Sequence, residues 1–333
     1  MTDELIRDFS QLSPDIVIDA LEAQNYCADG RILALNSYEN RVYQIYLEQG
    51  QILIAKFYRP GRWTDEAILE EHQFTRELAE AEIPVVSPIV NQAGDSLHHF
   101  QGYRFALFPR QQGRTPELCD FDTLSWMGRY LGRIHQLSQR QAFLTRPSID
   151  LASYGYKSRD YLLEHQLVPT HLQKDYFAIL ELALAGVAEC YKSAGQLNLL
   201  RAHGDCHWGN ILWSDSSTGA GPWFVDFDDA RNAPAIQDIW MLLSGSRSEM
   251  QAQLISIIDA YSDFMEFDQR ELALIEALRT LRLVHYSAWL AQRWSDPAFP
   301  IAFPWFASDT YWLERTQELR EQIELMQQAP ILI

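Results

Sequence analysis

The sequence predicts an α+β protein of two lobes, a small one with an antiparallel sheet and a helix, and a larger, mostly helical one. Short apolar runs separated by turn residues dominate the first third of the chain, as at 32–36, 41–47 and 51–58. Runs of this length that are rich in aliphatic and aromatic residues are typical of strands. From Phe121 onward, apolar residues recur mostly at the spacing of amphipathic helices.

A break in this pattern marks the boundary between the predicted lobes. The run 83–88 predicts a turn into an edge strand, because its prolines cannot donate to a ladder. A further strand is predicted at 101–108, and the residues after it are rich in Pro, Gln and Gly, which interrupt regular structure. We therefore expect a small lobe over residues 1–108, a large lobe over 109–333 and a hinge at about 108–113.

Composition and charge narrow the class of protein. The chain has 333 residues and a formal net charge of −18, which argues against a nucleic-acid partner or an anionic membrane surface, since both attract basic faces. We see no signal peptide and no apolar run long enough to span a bilayer. The four cysteines are scattered without a paired motif, which favours reduced thiols. We expect a cytoplasmic protein that acts as a monomer.

A lysine inside an apolar strand is the first candidate site residue. Lys56 lies in the third apolar run, where an ammonium group is costly unless it is paired or reaches the surface. The helix predicted next in the chain offers Glu70 and Glu71 as partners. We prefer Glu71, because Phe74 and Leu78 follow it at positions i+3 and i+7 of the same helix face.

The stretch from His203 to Asn210 carries the densest group of polar residues. It reads His-Gly-Asp-Cys-His-Trp-Gly-Asn and precedes an apolar strand, a turn and a second strand that ends at Asp226. A hairpin of this kind would bring Asp205, Asn210 and Asp226 to one end. Carboxylate and amide oxygens are the ligands that Mg²⁺ prefers, often together with the phosphates of a substrate.

This spacing resembles the catalytic core of protein-kinase-like folds. In those folds an Asp accepts a hydroxyl proton, an Asn five residues later holds a metal, and an Asp at the end of a later strand holds it too. Asp205, Asn210 and Asp226 match that order. The form His-Gly-Asp resembles the aminoglycoside phosphotransferase and choline kinase branch. The alternative is a solvated polar loop, against which the second motif and Lys56 argue.

The resemblance also indicates where a nucleotide would bind. The loop 36–40 joins two predicted strands at the point where such folds cover the phosphates of ATP, but it is not rich in glycine. Its contacts would come from backbone N–H groups and from the side chains of Ser37 or Asn40. A plain hairpin turn is the alternative. By position alone, adenine would meet the segment from Phe108 to Gln111.

Residues of the helical part are expected to have structural roles. Asp238 lies just inside a helix start, where it would cap the helix or brace the loop that carries Asp205. Gly128 and Gly132 are four residues apart on one helix and would allow close packing against a neighbour. His135 lies near the end of the same helix, and we assign it a structural role.

Nearly the whole chain resembles the bacterial stress response kinase A family, the YihE/RdoA type. The resemblance is carried by the segments 35–43, 56–60, 70–74, 203–210, 224–232 and 294–300. Segment 294–300 matters most, because it lies outside the general phosphotransferase signature. The resemblance implies use of ATP and Mg²⁺, phosphorylation of Ser or Thr in a protein substrate, autophosphorylation, and a role in envelope or oxidative stress.

The resemblance also implies roles for individual residues. Asp205 would accept the proton of the acceptor hydroxyl, and Asn210 and Asp226 would hold Mg²⁺, with Asp226 counted among the catalytic residues. Ser37 would contact ATP. Lys56, held by its helix glutamate, would orient the α- and β-phosphates.

Three other functions remain open on the sequence. A kinase of amino alcohols, choline-like amines or sugars would share the same core motifs. Its aromatic acceptor site would use Tyr286, Trp289 and Trp294. A pseudokinase would bind partners without catalysis. A zinc site would use His203, Cys206 and His207.

Overall fold

The α+β class predicted from the sequence is confirmed by the structure, which is a computed structural model. It describes residues 8–116, 120–214 and 220–333. These residues form two compact units. The first is composed of residues 8–116, 209–214 and 220–228, and the second of residues 120–208 and 229–333. The described residues 209–214 and 220–228, which lie within the predicted large lobe, thus belong by their contacts to the first unit. The hinge at 108–113 stays a prediction.

A five-stranded antiparallel sheet is the centre of the first unit. Its strands are β1 Ala28–Leu35, β2 Arg41–Leu47, β3 Ile52–Phe57, β4 His98–Phe100 and β5 Tyr103–Pro109. They lie in the order β1-β2-β3-β5-β4, and each neighbouring pair is antiparallel. Lys56 is opposite Val42 on one side and Ala106 on the other, so it occupies the central strand.

The two faces of this sheet are covered by different helices. Helix α1, Pro14–Glu22, begins as predicted: the Ser13 hydroxyl accepts the Ile16 N–H at 3.3 Å. It packs with Phe57 and other residues of one face. Helix α2, Asp65–Glu80, contributes Ile68 to the opposite face. Because side chains alternate along a strand, Lys56 points away from the Phe57 face and toward the α2 face.

A hairpin completes the first unit. Strand β6, Leu200–Ala202, and strand β9, Arg231–Ala233, belong to the second unit. The hairpin consists of β7 Ile211–Ser214 and β8 Gly221–Phe224, which pair antiparallel as predicted. Its turn residues 215–219 lie outside the described residues. The predicted edge strand at 83–88 is wrong. Only Val85 forms an isolated bridge, to Phe224, since the prolines at 84 and 88 remove two backbone donors.

The second unit is mostly helical. Its helices are α3 Phe121–Ser138, α4 Lys157–Glu164, α5 Thr170–Ala194, α6 Ile236–Trp240, α7 Arg247–Tyr261, α8 Ile275–Gln292, α9 Ala298–Ala302 and α10 Asp309–Met326. Strands β6 Leu200–Ala202 and β9 Arg231–Ala233 pair antiparallel beside them. Shorter helical turns are Leu151–Tyr156, Gln269–Leu274 and Pro304–Ala307. In the part of the chain that the structure describes, no helix is long and apolar enough to cross a membrane.

Helices α3 and α7 pack closely because α3 carries two glycines at their contact. A Cβ atom on Gly128 would lie 2.2 Å from the Ile257 carbonyl oxygen, and one on Gly132 would lie 2.6 Å from that of Tyr261. Real Cβ atoms do not come this close to an oxygen, so any side chain would force the helices apart. The close packing predicted from the spacing of these glycines is confirmed.

Candidate active site

Lys56 is the centre of an ion cluster in the first unit. Its Nζ lies 3.8 Å from Glu71 Oε1, 3.1 Å from Asp226 Oδ1 and 3.2 Å from Asp228 Oδ1. Burial disfavours the ammonium form, but the three carboxylates outweigh that cost and hold the pKa of Lys56 well above its usual range. The group is therefore a fixed positive charge, which suits it to bind an anion.

Helix α2 supplies the glutamate of this cluster. Glu71, Phe74 and Leu78 are all buried on one face of α2, whereas Glu70 is only partly buried. Glu71 is the residue that the sequence analysis preferred over Glu70. The helical spacing identified the inward face of α2, and the position of Glu71 on that face places its carboxylate next to Lys56.

Asp226 has an unusual backbone conformation just after β8. Its φ is +60°, in the left-handed region that residues other than glycine rarely adopt. The neighbouring Phe227 ring packs edge-on against Phe74 at 5.8 Å, and the Val225 N–H donates to the Asn210 carbonyl at 3.1 Å. These contacts hold the strained residue in place, while 57% of its side chain is exposed. Strain maintained by its surroundings is a common feature of functional sites.

Asn210 and Asp226 form a donor set that fits a hard divalent cation. The hydrogen bond from the Val225 N–H to the Asn210 carbonyl places Asn210 and Asp226 near the same end of the hairpin. An amide oxygen and an exposed carboxylate are the ligands that Mg²⁺ accepts while it keeps waters or phosphate oxygens in its other positions. Two protein ligands beside a buried lysine are consistent with a metal that binds together with a nucleotide.

A chain of charged residues connects this cluster to the loop 36–40. Arg62 donates to Asp228 Oδ2 and lies 3.7 Å from Glu39 Oε2. Arg59 Nε is 3.0 Å from Glu39 Oε1, and its backbone N–H donates to Asn40 Oδ1 at 3.0 Å. The sequence analysis missed Arg59, Arg62, Glu39 and Asp228 as site residues. Glu39, Arg59 and Asp228 lie in the segments 35–43, 56–60 and 224–232, which it used only for the resemblance, and Arg62 lies two residues beyond the second of these segments.

The three predicted nucleotide contacts of the first unit have different surroundings. Asn40 is buried, and its side-chain oxygen already accepts the Arg59 N–H. Ser37 is partly buried in the loop between β1 and β2. Phe108 is partly buried near the end of β5, with its ring edge-on to His72 at 6.4 Å. Their contacts with a nucleotide stay predictions.

Asp205 is the candidate base of the second unit. Its Oδ1 accepts from Arg282 Nη1 at 2.5 Å, and its Oδ2 lies 3.5 Å from His207 Nε2. Burial favours the neutral acid, but the hydrogen bond with His207 and the charge of Arg282 together lower the pKa of Asp205 below its usual value. The carboxylate is therefore ionised at neutral pH and able to accept a proton.

Asp238 braces the loop that carries Asp205, as one of its predicted roles required. It accepts the His203 N–H at 2.7 Å and the Gly204 N–H at 2.9 Å, and His135 Nε2 lies 3.2 Å from it. Asp238 and His135 are buried. Gly204 has a φ of +82°, and a Cβ atom there would lie 2.1 Å from the Asp229 carbonyl oxygen. The His-Gly-Asp motif thus needs its glycine for backbone conformation and for space.

A buried glutamate supports the helix that carries Asp238. Glu271 accepts the Ile236 N–H at 2.8 Å, at the start of α6. The effect of burial on this carboxyl group is larger than that of its hydrogen bond, and it raises the pKa of Glu271 to about 7. The sequence analysis did not identify this residue, because a single glutamate among helical turns shows no sign of burial.

Replacing Glu271 by Gln is expected to flatten the pH dependence of stability. The pKa of Glu271 is 4.5 in its ordinary state and about 7 in the folded chain. Between pH 4.5 and about pH 7, the folded chain keeps the proton that the unfolded chain releases, so stability falls as the pH rises through this range. The total loss of folding free energy is up to about 3 kcal/mol. The midpoints of urea unfolding at pH 5 and pH 8 measure this loss. The wild type should lose stability between the two, and Glu271→Gln should lose less, since Gln still accepts the Ile236 N–H. Equal losses would contradict the assignment.

The structure shows the surroundings of residues that two of the alternative functions would use. Cys206 is buried, and burial raises the pKa of its thiol well above the usual range. Among residues 8–116, 120–214 and 220–333, no three His, Cys, Asp or Glu side chains converge to hold a metal. Tyr286 and Trp289 stack at 5.7 Å, whereas Trp294 packs against Phe306 at 4.9 Å.

Comparison with known proteins shows the family to which this chain belongs and two of its relatives. Residues 31–275 match the family described as the phosphotransferase enzyme family. Over 323 residues the chain is 46% identical to "Stress response kinase A" of Escherichia coli O157:H7, with 97% of this chain and 96% of the relative covered. It is 45% identical, with the same coverage, to "Serine/threonine protein kinase RdoA" of Salmonella typhimurium strain LT2. The chain belongs to the phosphotransferase enzyme family and, within it, to the stress response kinase A family.

Solved structures show the same fold at low sequence identity. An amicoumacin kinase in complex with AMP-PNP, Ca²⁺ and amicoumacin has a TM-score of 0.72 and 18% identity, with 96% of this chain and 95% of that chain covered. A microcompartment-associated aminopropanol kinase has a TM-score of 0.67 and 16% identity, with 94% and 96% covered. The protein-kinase-like phosphotransferase fold predicted from the motifs is confirmed.

Proposed function

We propose that this chain transfers the γ-phosphoryl group of ATP to Ser and Thr hydroxyls of proteins, itself included. The observation that carries the proposal is the buried Lys56, fixed as a cation by Glu71, Asp226 and Asp228. A buried lysine next to a helix glutamate and an exposed, strained aspartate is the arrangement that protein-kinase-like sites use for nucleotide phosphates. The protein acceptor is supported by the 45% identity to a relative named a serine/threonine protein kinase.

The first unit would hold the nucleotide. Lys56 orients the α- and β-phosphates, and Glu71 keeps its ammonium in place. The loop carrying Ser37 and Asn40 covers the phosphates through backbone N–H groups, with Ser37 as a side-chain contact. Phe108 lies beside the adenine. Phosphoryl transfer asks little covalent chemistry of the protein, so holding the phosphates in line supplies much of the rate enhancement.

Asn210 and Asp226 would hold Mg²⁺, which neutralises the negative charge of the phosphates when it is bound. The donor set supports this choice because both ligands are oxygens and one of them is an exposed carboxylate. Asp226 also contacts Lys56 at 3.1 Å. This carboxylate therefore connects the metal position to the phosphate-binding lysine.

Asp205 would align the acceptor hydroxyl and take its proton. The pKa of Asp205 lies below its usual value, which keeps the carboxylate ionised, and in a loose transition state the proton leaves the acceptor late, so a strong base is not needed. Asp205 and Asn210 are five residues apart, and a chain of that length spans at most about 18 Å. The proton acceptor and a metal ligand therefore stay near each other by chain length alone.

We also propose the cytoplasm as the compartment and the monomer as the working form. In the described part of the chain Cys27, Cys190 and Cys206 are free thiols, which is consistent with a reducing compartment. Cys119 lies outside the described residues. The net charge of −18 supports a partner other than nucleic acid.

The test is to follow labelled phosphate from Mg·ATP into competing acceptors. Purified protein is incubated with a generic Ser/Thr protein, and in parallel with choline, homoserine, an aminoglycoside and an aminopropanol. We expect label on the chain itself and on the protein acceptor, at rates well above those with the small alcohols. Label confined to a small alcohol would replace the proposal by a small-molecule kinase. ATP binding with no transfer to any acceptor would favour a pseudokinase.

A further inference from the structure

Arg282 covers the oxygen that the proposed base needs for its reaction. It extends from α8, and its Nη1 donates to Asp205 Oδ1 at 2.5 Å. The other oxygen of Asp205 lies 3.5 Å from His207 Nε2. Both oxygens of the carboxylate are therefore engaged by cationic or potentially cationic groups. An acceptor hydroxyl that approaches Asp205 has to share its oxygens with these groups or displace one of them.

Arg282 is the more exposed partner of this ion pair. Its side chain is 42% exposed, while that of Asp205 is 23% exposed. A second arginine nearby, Arg231, is largely buried, lies 3.5 Å from Asp229 Oδ1 and covers the Tyr154 ring at 5.1 Å. Arg231 is held in place by these contacts. Arg282 is thus the exposed arginine that pairs with Asp205, and the side chain of His207 beside it is 40% exposed.

We infer that Arg282 leaves Asp205 for an anionic group of the acceptor, and that it thereby selects Ser or Thr hydroxyls flanked by an acidic residue. This inference rests on the proposed function of Asp205. A guanidinium that gives up a short, charge-assisted hydrogen bond needs another anion to compensate it. A carboxylate next to the acceptor hydroxyl supplies that anion and frees the oxygen of Asp205 in the same movement. An acceptor with neutral flanks has to break the ion pair without compensation.

The net charge of the chain opposes acidic acceptors at long range, so Arg282 can select them only at short range. At a net charge of −18, the protein repels acidic segments at long range. Salt limits that repulsion to about 8–10 Å under physiological conditions. Within that distance the short-range contact with Arg282 decides which acceptor is bound, so removal of this one cation should change selectivity more than overall activity.

The experiment compares two peptide series that carry one serine each. One series has Glu, and the other Gln, at each position near the serine in turn. For the wild type we expect the best Glu peptide to have a kcat/KM about tenfold above its Gln counterpart, mainly through KM, since the contact is one charge-assisted hydrogen bond. Arg282→Gln should abolish this ratio, and Arg282→Lys should retain part of it.

Arg279→Gln is the matched control. Arg279 lies one turn earlier on α8 and pairs with Glu276 at 2.9 Å, so its replacement removes the same charge from the same helix without contact with Asp205. It should keep the wild-type ratio. A ratio that persists in Arg282→Gln, or a wild type without preference for the Glu series, would overturn the inference and leave the proposed function intact. Absence of label transfer from the wild type to every peptide and protein would overturn both.

Discussion

Replacing Asp226 by Asn should lower kcat/KM for phosphoryl transfer by about 10³-fold, the upper range for loss of one preorganised electrostatic group. Asn keeps the shape of the side chain but removes its charge, so the metal position loses its carboxylate and Lys56 loses the negative charge that lies 3.1 Å from its Nζ. Stability should change little, because 57% of the Asp226 side chain is exposed. Steady-state label transfer and the affinity for Mg·ATP measure the effect, and we expect both to fall.

The control for this variant is Asp263→Asn. Asp263 is as exposed as Asp226 and pairs with Arg129 in the second unit, so the control removes an equal charge at a position without a proposed role. Its transfer rate should match the wild type. An Asp226→Asn protein that folds and retains near-normal transfer would exclude the proposed arrangement of metal and phosphates.

Replacing Asp205 by Asn should lower the rate of transfer by about 10²–10⁴-fold, the usual contribution of a positioned general base. An Asn side chain has the same size but cannot accept the proton of the acceptor hydroxyl. The affinity for Mg·ATP should stay near that of the wild type, because the residues proposed to hold the nucleotide are in the first unit. Single-turnover label transfer and a nucleotide titration together measure this difference.

The two aspartate variants are therefore expected to differ in their affinity for the nucleotide. Asp226→Asn should lose nucleotide affinity and transfer together, whereas Asp205→Asn should lose transfer alone. Equal losses of affinity in both would show that Asp205 supports the nucleotide and is not the base. Thermal unfolding of both variants identifies any loss that comes from folding, since Asp205 also pairs with Arg282.

Much of this site could be predicted because short sequence patterns fix its parts. The apolar run around Lys56 predicted its place inside a strand, and helical spacing placed Glu71 on the inward face of α2. The hairpin was visible as two apolar runs around a polar turn, so Asn210 and Asp226 were expected at one end of it, together with Asp205. Asp238 was identified as a brace from its position at a helix start. Local patterns of this kind depend only on neighbours in the sequence.

The remaining features depend on contacts between distant segments. The ion pairs of Arg59 and Arg62 with Glu39 and Asp228 join three segments that no periodicity connects. The pairing of Arg282 with Asp205 crosses 77 residues of chain. The edge strand expected at 83–88 was wrong for a related reason, because whether such a run pairs is decided by a partner elsewhere in the chain.

The most direct test of the central claim is to identify the amino acid that receives the phosphate. Purified protein and a generic protein acceptor are incubated with labelled Mg·ATP. One portion is treated with acid to measure the acid-stable label, and a second portion is digested with a protease at neutral pH and mapped by mass spectrometry. Our account predicts acid-stable phosphoserine and phosphothreonine on both proteins. Label on histidine or aspartate, or label found only on small molecules, would contradict it.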